Sequence, residues 1–260
     1  MHRTGQDHNR ERSHSVAVRS GSEAAVATRT AAVVLAGGTG QRLGGPAPKQ
    51  LIEVAGRPIL SYAIEAFETT PGIDEIIVVM AAGHETAATA IAQPYRKVKA
   101  VISGGTTRTE STLRAMETLR AAPDDSAVLF HDAARPFVDH AVIDRCLTAL
   151  KTYEAVAVGV PTSDTIVEIA DDRVVAMPPR AVLRRFQTPQ GFRLGILRKA
   201  YDLALADPSF TATDDCGVVH RYLPDLPIKV VAGDERNLKI THPLDLVIAE
   251  HLAAQDRRLP

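Results

Sequence analysis

Cysteine is scarce in this chain of 260 residues, which has only Cys146 and Cys216, far apart in the sequence. Two distant cysteines cannot form a disulfide framework, and their spacing is not that of a zinc site. Long apolar runs are also missing, because none approaches the ~20 residues needed to span a bilayer. These absences predict a protein of the reducing cytoplasm without a membrane partner.

An excess of charge of one sign is lacking as well. The chain has 30 Lys and Arg residues against 31 Asp and Glu residues, so its net charge is −1. This balance gives no support to a nucleic-acid partner, because phosphate backbones are bound by clearly basic surfaces. A phosphate site would therefore have to be local and built from a few placed cations.

The first 29 residues differ in composition from the rest of the chain. They are polar and contain no continuous apolar stretch, so they do not match a secretory signal. Asp7, Glu11 and Glu23 argue against a transit peptide. We expect a disordered, dispensable extension over residues 1–29 and one domain over residues 30–256.

A glycine-rich turn follows the first apolar run, in the sequence AAVVLAGGTGQRLGGPAPK at residues 31–49. The apolar run predicts a buried strand, and backbone N–H groups in such a turn can bind phosphate oxygens. Arg42 and Lys49 add positive charge, so the segment predicts a polyphosphate site, with a plain tight turn as the alternative. It is not a Walker loop, and Leu43 stands where a dinucleotide fingerprint needs its third glycine.

Apolar runs and helically spaced segments alternate up to residue 160. Strands are predicted near residues 73–80, 98–102, 127–131 and 155–160, with helices between them. The fold class predicted from this alternation is α/β: a Rossmann-like, mostly parallel sheet with helices on both faces. Ligands bind at the carboxyl ends of such strands, where the glycine turns and the segment beginning at Asp132 fall.

The pattern changes after residue 160. Two short β-like runs, TIVEI and VVAM, flank Asp171-Asp172-Arg173 and predict a projecting hairpin, the β-arm, over about residues 162–180. We expect the β-arm to pack on a second copy of the chain. Residues 180–192 receive no helix or strand, whereas two helices, a strand and a final helix from Pro243 are predicted after them.

Eight ordered segments over residues 31–252 resemble the cytidylyltransferases that act on polyol phosphates, above all those for 2-C-methyl-D-erythritol 4-phosphate and ribitol 5-phosphate. The segments are LAGGTGQRLGGPAPKQ, GGTTRTES, HDAARPF, PTSDTI, PPR, QTPQGF, TDD and NLKIT. The resemblance implies a nucleotidyltransferase fold and transfer of CMP from CTP to a polyol phosphate, with release of pyrophosphate. It also implies Mg²⁺, which suits a sequence without clustered metal ligands because this ion commonly bridges phosphates.

The resemblance further implies a role for each matched residue. Stabilisation of charge on the reacting triphosphate is expected from Arg42, Lys49 and Lys239. Nucleotide binding is expected from Ala36, Gly37, Gly38, Thr39, Gly40, Gly105, Thr106, Ser111 and Asp132, and Asp132 is also the expected Mg²⁺ ligand. Contacts with the polyol phosphate are expected from Thr165, Arg180 and Thr188, with the β-arm of one subunit serving the site of its neighbour.

Some positions carry narrower expectations. Many relatives have Asp where this chain has Thr106, so a contact through the Thr106 backbone is expected instead of one through its side chain. Arg108 is expected to be a local brace and His131 a packed neighbour. For Arg135, a pairing with Asp132 and a direct place in the site are both open.

The sequence leaves the acceptor open between two polyol phosphates. Arg180, QTPQGF and THPLDLVIAE favour the methylerythritol enzymes, whereas LAGG and Cys216 after Asp214-Asp215 look more like the ribitol group. Methylerythritol 4-phosphate is placed first because that activity is more widespread. Other classes are a sugar-phosphate nucleotidyltransferase using another nucleotide, a degenerate binding module, and a dehydrogenase, which the missing third glycine disfavours.

Overall fold

The computed structural model describes residues 29–38 and 48–256. The predicted extension therefore lies outside the described residues except for Arg29, and so do Thr39, Gly40 and Arg42. The strands of the described part are β1 (Thr30–Ala36), β2 (Glu53–Val54), β3 (Arg57–Pro58), β4 (Glu75–Met80), β5 (Val98–Ser103), β6 (Ala127–Asp132), β7 (Ala155–Pro161), β8 (Glu168–Ala170), β9 (Arg173–Ala176), β10 (Arg184–Arg193) and β11 (Ile228–Ala232). Its α-helices are α1 (Ile59–Glu68), α2 (Glu85–Ala92), α3 (Arg108–Thr118), α4 (His140–Leu150), α5 (Leu194–Leu205), α6 (Asp215–Tyr222) and α7 (Pro243–Asp256).

The central sheet has seven strands in the order β11-β7-β10-β6-β1-β4-β5. All neighbouring pairs are parallel except the two that involve β10. Parallel strands require crossover connections, and helices supply most of them here. The predicted α/β fold class with a mostly parallel sheet is confirmed.

Helices cover both faces of this sheet, because successive side chains of a strand point to opposite sides. Ala32, Val34 and Ala36 of β1 pack with α1, α2 and α4 in one core cluster. Val33 and Leu35 of the same strand pack with α3, α5 and α6 in another. A strand buried on both faces must be apolar at every position, which explains the continuous apolar run of β1.

Strand β10 was not predicted, although it lies in the middle of the sheet. It runs antiparallel to both β6 and β7. Pro189 argues against a central strand, because proline cannot donate to a β-ladder. The structure accommodates it at an irregularity, since the pairing of β10 with β7 shifts register between Gln187 and Gly191.

The β-arm is present as a hairpin of β8 and β9 that, within the described residues, pairs with no strand of the central sheet. Asp171 and Asp172 join its strands with φ values of 48° and 58°, as a two-residue primed turn requires. Its apolar residues are exposed, among them Ile169 at 63% and Met177 at 63%. The predicted hairpin is therefore confirmed. Among the described helices, none is both long and apolar enough to cross a membrane.

Candidate active site

A cleft of about 380 Å³ opens where β1, β5 and β6 end at their carboxyl termini. It brings together many residues singled out in the sequence: Gly37, Gly38, Lys49, Thr106, Ser111, Asp132 and Lys239. Sequence reasoning missed further lining residues or gave them no place in the cleft, namely Gln50, Thr107, Arg108 and Thr241. The carboxyl edge of the sheet is thus the candidate site, as expected for an open α/β sheet.

The two glycine turns meet at Ser111, a buried residue of α3. Its hydroxyl accepts a hydrogen bond from the Gly105 N–H at 3.1 Å and donates one to the Thr107 carbonyl at 3.0 Å. A Cβ atom on Gly37 would lie 3.1 Å from the Ser111 Oγ, and one on Gly104 would lie 3.0 Å from it. A side chain at either glycine would crowd the Ser111 hydroxyl, so glycine at both positions favours this close approach of the two turns.

The start of α3 is closed by a reciprocal cap. The Thr107 hydroxyl accepts from the Glu110 N–H at 3.0 Å, and a Glu110 carboxylate oxygen accepts from the Thr106 N–H at 2.7 Å. The same oxygen accepts from the Thr106 hydroxyl at 2.9 Å, and these bonds lower the pKa of Glu110. The Thr106 N–H is thus already bound by Glu110. The expected backbone contact between Thr106 and the nucleotide stays a prediction.

Asp132 ends β6 with a side chain that is 14% exposed and faces two cations. Its Oδ2 lies 2.7 Å from the Lys239 Nζ, and its Oδ1 lies 3.7 Å from the Arg108 Nε. Burial acts to raise the pKa of Asp132, but the positive charges of Lys239 and Arg108 outweigh it and hold that pKa well below its usual range. The carboxyl group is therefore ionised in the cleft.

A buried chain of hydrogen bonds holds the backbone of Asp132. The Thr188 hydroxyl accepts from the Asp132 N–H at 3.0 Å and donates to the His131 Nδ1 at 3.0 Å. Burial lowers the pKa of His131 to about 4, so the ring is neutral and its Nε2–H donates to the Arg135 carbonyl at 2.9 Å. The ring also packs edge-on against Phe67. His131 is thus the packed neighbour that was expected.

Thr188 has a different place from the one expected for a contact with the acceptor. It is 5% exposed, and its hydroxyl is engaged by the Asp132 N–H and by His131. A direct contact between Thr188 and a polyol phosphate stays a prediction. The structure shows that Thr188 lies beneath Asp132 and binds its backbone N–H.

The segment after β11 carries Lys239 to the cleft and is fastened at several points. The Ile240 N–H donates to the Ala134 carbonyl at 2.8 Å, and the Asn237 side-chain amide donates to the Thr188 carbonyl at 2.8 Å. Lys49, which is 8% exposed, donates from Nζ to the Ile240 carbonyl at 2.6 Å. These bonds bring Lys49 and Lys239 to the same wall of the cleft.

Arg135 and Arg108 both act as braces, but in different surroundings. Arg135 donates to the Asn237 carbonyl at 2.8 Å, and burial lowers its pKa. Its hydrogen bonds are to backbone groups, but its positive charge also helps to lower the pKa of Asp132, so both open alternatives for Arg135 stay predictions. Arg108 forms an ion pair with the buried Asp215 at 2.8 Å and also lines the cleft.

Thr165 and Arg180 do not line the cleft of their own chain. Both are exposed, and the Arg180 guanidinium donates to the Ser163 carbonyl at 2.9 Å. Their predicted role at the polyol phosphate therefore stays a prediction. Ala36 is fully buried at the end of β1, so a contact from it would involve its backbone.

The chain matches a known family and known proteins over most of its length. The family model described as IspD, 2-C-methyl-D-erythritol 4-phosphate cytidylyltransferase, matches residues 30–255. A 2-C-methyl-D-erythritol 4-phosphate cytidylyltransferase of Thermobifida fusca is 49% identical over 231 residues, which are 86% of this chain and 93% of that protein. A bifunctional ribulose 5-phosphate reductase/CDP-ribitol pyrophosphorylase of Haemophilus influenzae is 38% identical, over 85% of this chain and 47% of that protein.

Solved structures share the architecture over most of the chain. The 4-diphosphocytidyl-2C-methyl-D-erythritol synthase of Anaerococcus prevotii superposes with a TM-score of 0.77 at 30% identity, covering 87% of this chain and 99% of that one. The 2-C-methyl-D-erythritol 4-phosphate cytidylyltransferase of Thermus thermophilus does so with a TM-score of 0.66 at 32% identity, with the same shares covered.

Proposed function

Because the chain belongs to the IspD family of 2-C-methyl-D-erythritol 4-phosphate cytidylyltransferases, we propose that it transfers CMP from CTP to 2-C-methyl-D-erythritol 4-phosphate. The observation that carries this proposal is the convergence of Lys49, Lys239 and Asp132 on one cleft at the carboxyl edge of the sheet. Cations and glycine turns in that position suit a triphosphate.

The choice of acceptor is supported by the relatives. The Thermobifida fusca protein is named for the methylerythritol reaction, and this chain matches 93% of its length at 49% identity. The protein with a CDP-ribitol activity is 38% identical, and the chain spans about half of it. Methylerythritol 4-phosphate is therefore the first candidate. Ribitol 5-phosphate is the second, because the Haemophilus protein matches 85% of this chain.

The proposed reaction is an in-line substitution at phosphorus. An oxygen of the acceptor phosphate attacks the α-phosphorus of CTP, and the bond from that phosphorus to the bridging oxygen breaks as pyrophosphate leaves. Negative charge grows on the triphosphate, so positioned cations accelerate the step more than any covalent group would. Lys49 and Lys239 supply such charge from one wall of the cleft, and Arg42 is proposed to add to it.

Nucleotide binding is assigned to the opposite walls of the cleft. Gly37 and Gly38 follow β1, and Ser111 fixes the second glycine turn against the first. The same role is proposed for Ala36, Thr39, Gly40, Gly105 and Thr106. Their backbone groups would meet the ribose, the base and the phosphates, which is what closely approaching glycine turns permit.

Mg²⁺ is part of the proposal and fits the residues that are present. The described residues hold no group of three or more His, Cys, Asp and Glu side chains that could cage a metal. Among the described residues that line the cleft, Asp132 is the one that offers a carboxylate, and Mg²⁺ is commonly held by one or two carboxylates together with substrate phosphates. Asp132 would hold the ion, which when bound would neutralise charge on the triphosphate.

The proposal also includes a homodimer formed through the β-arm. Ile169, Val174 and Met177 expose apolar surface on the hairpin, and Thr165 and Arg180 lie outside the cleft of their own chain. A second chain would cover the apolar surface and receive Thr165 and Arg180 at its acceptor side. A cytoplasmic location is proposed too, supported by two buried and unpaired cysteines.

Pyrophosphate release with CTP and Mg²⁺ tests the proposed function directly. The assay should run side by side with methylerythritol 4-phosphate and ribitol 5-phosphate, with a chelator control and with UTP, ATP and GTP in place of CTP. Turnover of methylerythritol 4-phosphate with CTP is the expected result. Turnover of ribitol 5-phosphate alone would replace the acceptor, and a clear preference for UTP would replace the nucleotide.

A further inference from the structure

Asp215 is the first residue of α6 and is completely buried, although it is a carboxylate. Its Oδ1 accepts from the Tyr201 hydroxyl at 2.7 Å and from the Thr112 hydroxyl at 3.0 Å. Its Oδ2 lies 2.8 Å from the Nη1 of Arg108. A buried carboxylate is costly unless it is paired, and the ion pair with Arg108 meets that requirement.

The position of Asp215 is fixed by its backbone as well. The Oε1 of Gln190 accepts from the N–H groups of Asp215 and Cys216, both at 3.1 Å. Gln190 belongs to β10, so the central sheet holds the first turn of α6 in place. Asp215 is thus anchored by side-chain and backbone contacts that do not involve the cleft.

Arg108 connects this anchored carboxylate with the cleft. Its guanidinium meets Asp215 through Nη1 and faces the Oδ1 of Asp132 through Nε, at 3.7 Å. Asp215 does not line the cleft, whereas Arg108 and Asp132 do. The Nη2 of Arg108 is buried and has no hydrogen-bond partner among the described residues. The guanidinium is therefore held at one edge and oriented toward the cleft at another.

We propose that Asp215 is a positioning residue of this site, which holds the Arg108 guanidinium and through it fixes the Asp132 carboxylate. The inference rests on the proposed function for its kinetic part only. Lys239 also pairs with Asp132, but its side chain is 42% exposed and it is one of the cations assigned to the triphosphate. When Lys239 turns to the phosphates, Arg108, whose Nε lies 3.7 Å from the Oδ1 of Asp132, still faces that carboxylate, and the ion pair with Asp215 holds its guanidinium in place.

The variant D215N tests this role with little change of shape. An asparagine oxygen can still accept from Tyr201 and Thr112, but the negative charge that holds Arg108 is gone. Arg108 then moves toward Asp132, its remaining anion, and forms an ion pair that makes this carboxylate unavailable to substrate. A misplaced group of this kind costs up to about 10²-fold in rate, so we expect kcat to fall about 10- to 100-fold.

Asp207 provides a control with similar contacts in the same chain, although its side chain is 26% exposed and that of Asp215 is fully buried. It too accepts from a tyrosine hydroxyl and a small hydroxyl and pairs with an arginine, through Tyr222 at 2.6 Å, Ser209 at 2.7 Å and Arg221 at 2.8 Å. None of these residues lines the cleft. D207N removes the same charge from the same kind of cluster, and kcat should stay within about threefold of the wild-type value.

A second variant keeps the test decisive if D215N does not fold. R108K retains a cation for Asp215 but loses the planar fork that spans two carboxylates. We expect R108K to melt close to the wild-type temperature and to lose about tenfold or more in kcat. In the double variant, adding D215N to R108K should change kcat by less than about threefold, because both changes break one linkage.

Two outcomes would overturn the proposal. One is a D215N enzyme that melts earlier but keeps its kcat per folded molecule, as a purely structural carboxylate would. The other is a double variant in which the two losses multiply. A crystal structure of D215N separates this inference from the proposed function: Arg108 should leave residue 215 and approach Asp132, whatever reaction the wild type performs. An unmoved guanidinium there would refute it even in an active enzyme.

Discussion

The cleft and the β-arm depart from ordinary protein surfaces in opposite directions. The cleft keeps charged groups such as Lys49 and Asp132 largely out of solvent, and other groups of the same chain engage them. The β-arm exposes apolar side chains such as Ile169 and Val174, and the described chain supplies no cover for them. Buried charge that is paired indicates groups whose partners lie within one chain, whereas exposed apolar surface indicates a region that another molecule covers.

Removing the cleft's most buried cation should have the largest effect. We expect K49A to lower kcat by about 10²- to 10³-fold, because a charge contact that strengthens in the transition state is lost. Steady-state pyrophosphate release would measure it. The control is K199A, which removes an exposed lysine of α5 and should leave kcat unchanged. A loss below about threefold in K49A would contradict a catalytic role.

On the β-arm, a charge placed in the apolar surface should weaken self-association. V174D puts a carboxylate on a residue that is 58% exposed, and we expect the dimer dissociation constant to rise at least about 30-fold. Sedimentation equilibrium would measure it. V247D on α7, where Val247 is 65% exposed, is the control. Dissociation caused by V247D in place of V174D would locate the interface on α7.

The variant R180A should affect one substrate only, because Arg180 lies on the β-arm and outside the cleft. We expect the KM for the polyol phosphate to rise about 10- to 50-fold through loss of a charged hydrogen bond. CTP affinity, measured by calorimetry, should stay within about threefold of wild type. The control is R173A, which removes another arginine of the β-arm, at the start of β9. An equal loss of CTP affinity would show that Arg180 serves the nucleotide.

The stability of the fold should depend on pH through His131, the buried ring beneath Asp132. Burial lowers the pKa of His131 to about 4, against about 6.5 for the unfolded chain, so the unfolded state takes up a proton first as the pH falls. His131 therefore costs no stability above pH ~6.5, and the cost grows between pH ~6.5 and ~4. At pH 5.5 we expect a loss of about 1 kcal/mol relative to pH 7.5.

Urea unfolding at these two pH values would measure this smallest effect. The comparison is with H131Q, whose side chain does not titrate and whose stability should change less between the same pH values. Asp132 does not interfere, because its depressed pKa confines its own loss of stability to more acidic solutions, below pH ~4. An equal pH dependence in the wild type and in H131Q would exclude His131 as the cause.

Much of the fold could be predicted from the sequence, since long apolar runs such as that of β1 admit few alternatives. Strand β10 could not be predicted, because Pro189 and the polar residues Gln187, Thr188 and Gln190 are typical of a loop and not of a central strand. Only the packing of β10 between β6 and β7 reveals it. The local sequence pattern does not show which distant strands of the chain will pair with a segment, and this pairing decides whether it forms a strand.

The cleft was predictable where one motif supplies one residue, as with Lys49, Asp132 and Lys239. The part that was missed consists of contacts between motifs. Asp215 reads as the start of a helix. Its ion pair with Arg108 joins positions 107 residues apart, as does the pair of Asp132 with Lys239, and only three-dimensional packing brings these partners together. Thr188 likewise reads as a ligand contact, while its burial beneath Asp132 depends on the path of β10.

The central position of β10 also governs the order in which the molecule can be completed. Strands β6 and β7 precede it in the chain, yet each pairs with it and they do not pair with one another. During synthesis, a chain that ends at the β-arm would carry two open strand edges facing a gap, which is a hazard for aggregation. The gap can close only after residue 193 of the 260 has left the ribosome, so the open strand edges of the nascent chain need shielding until that point.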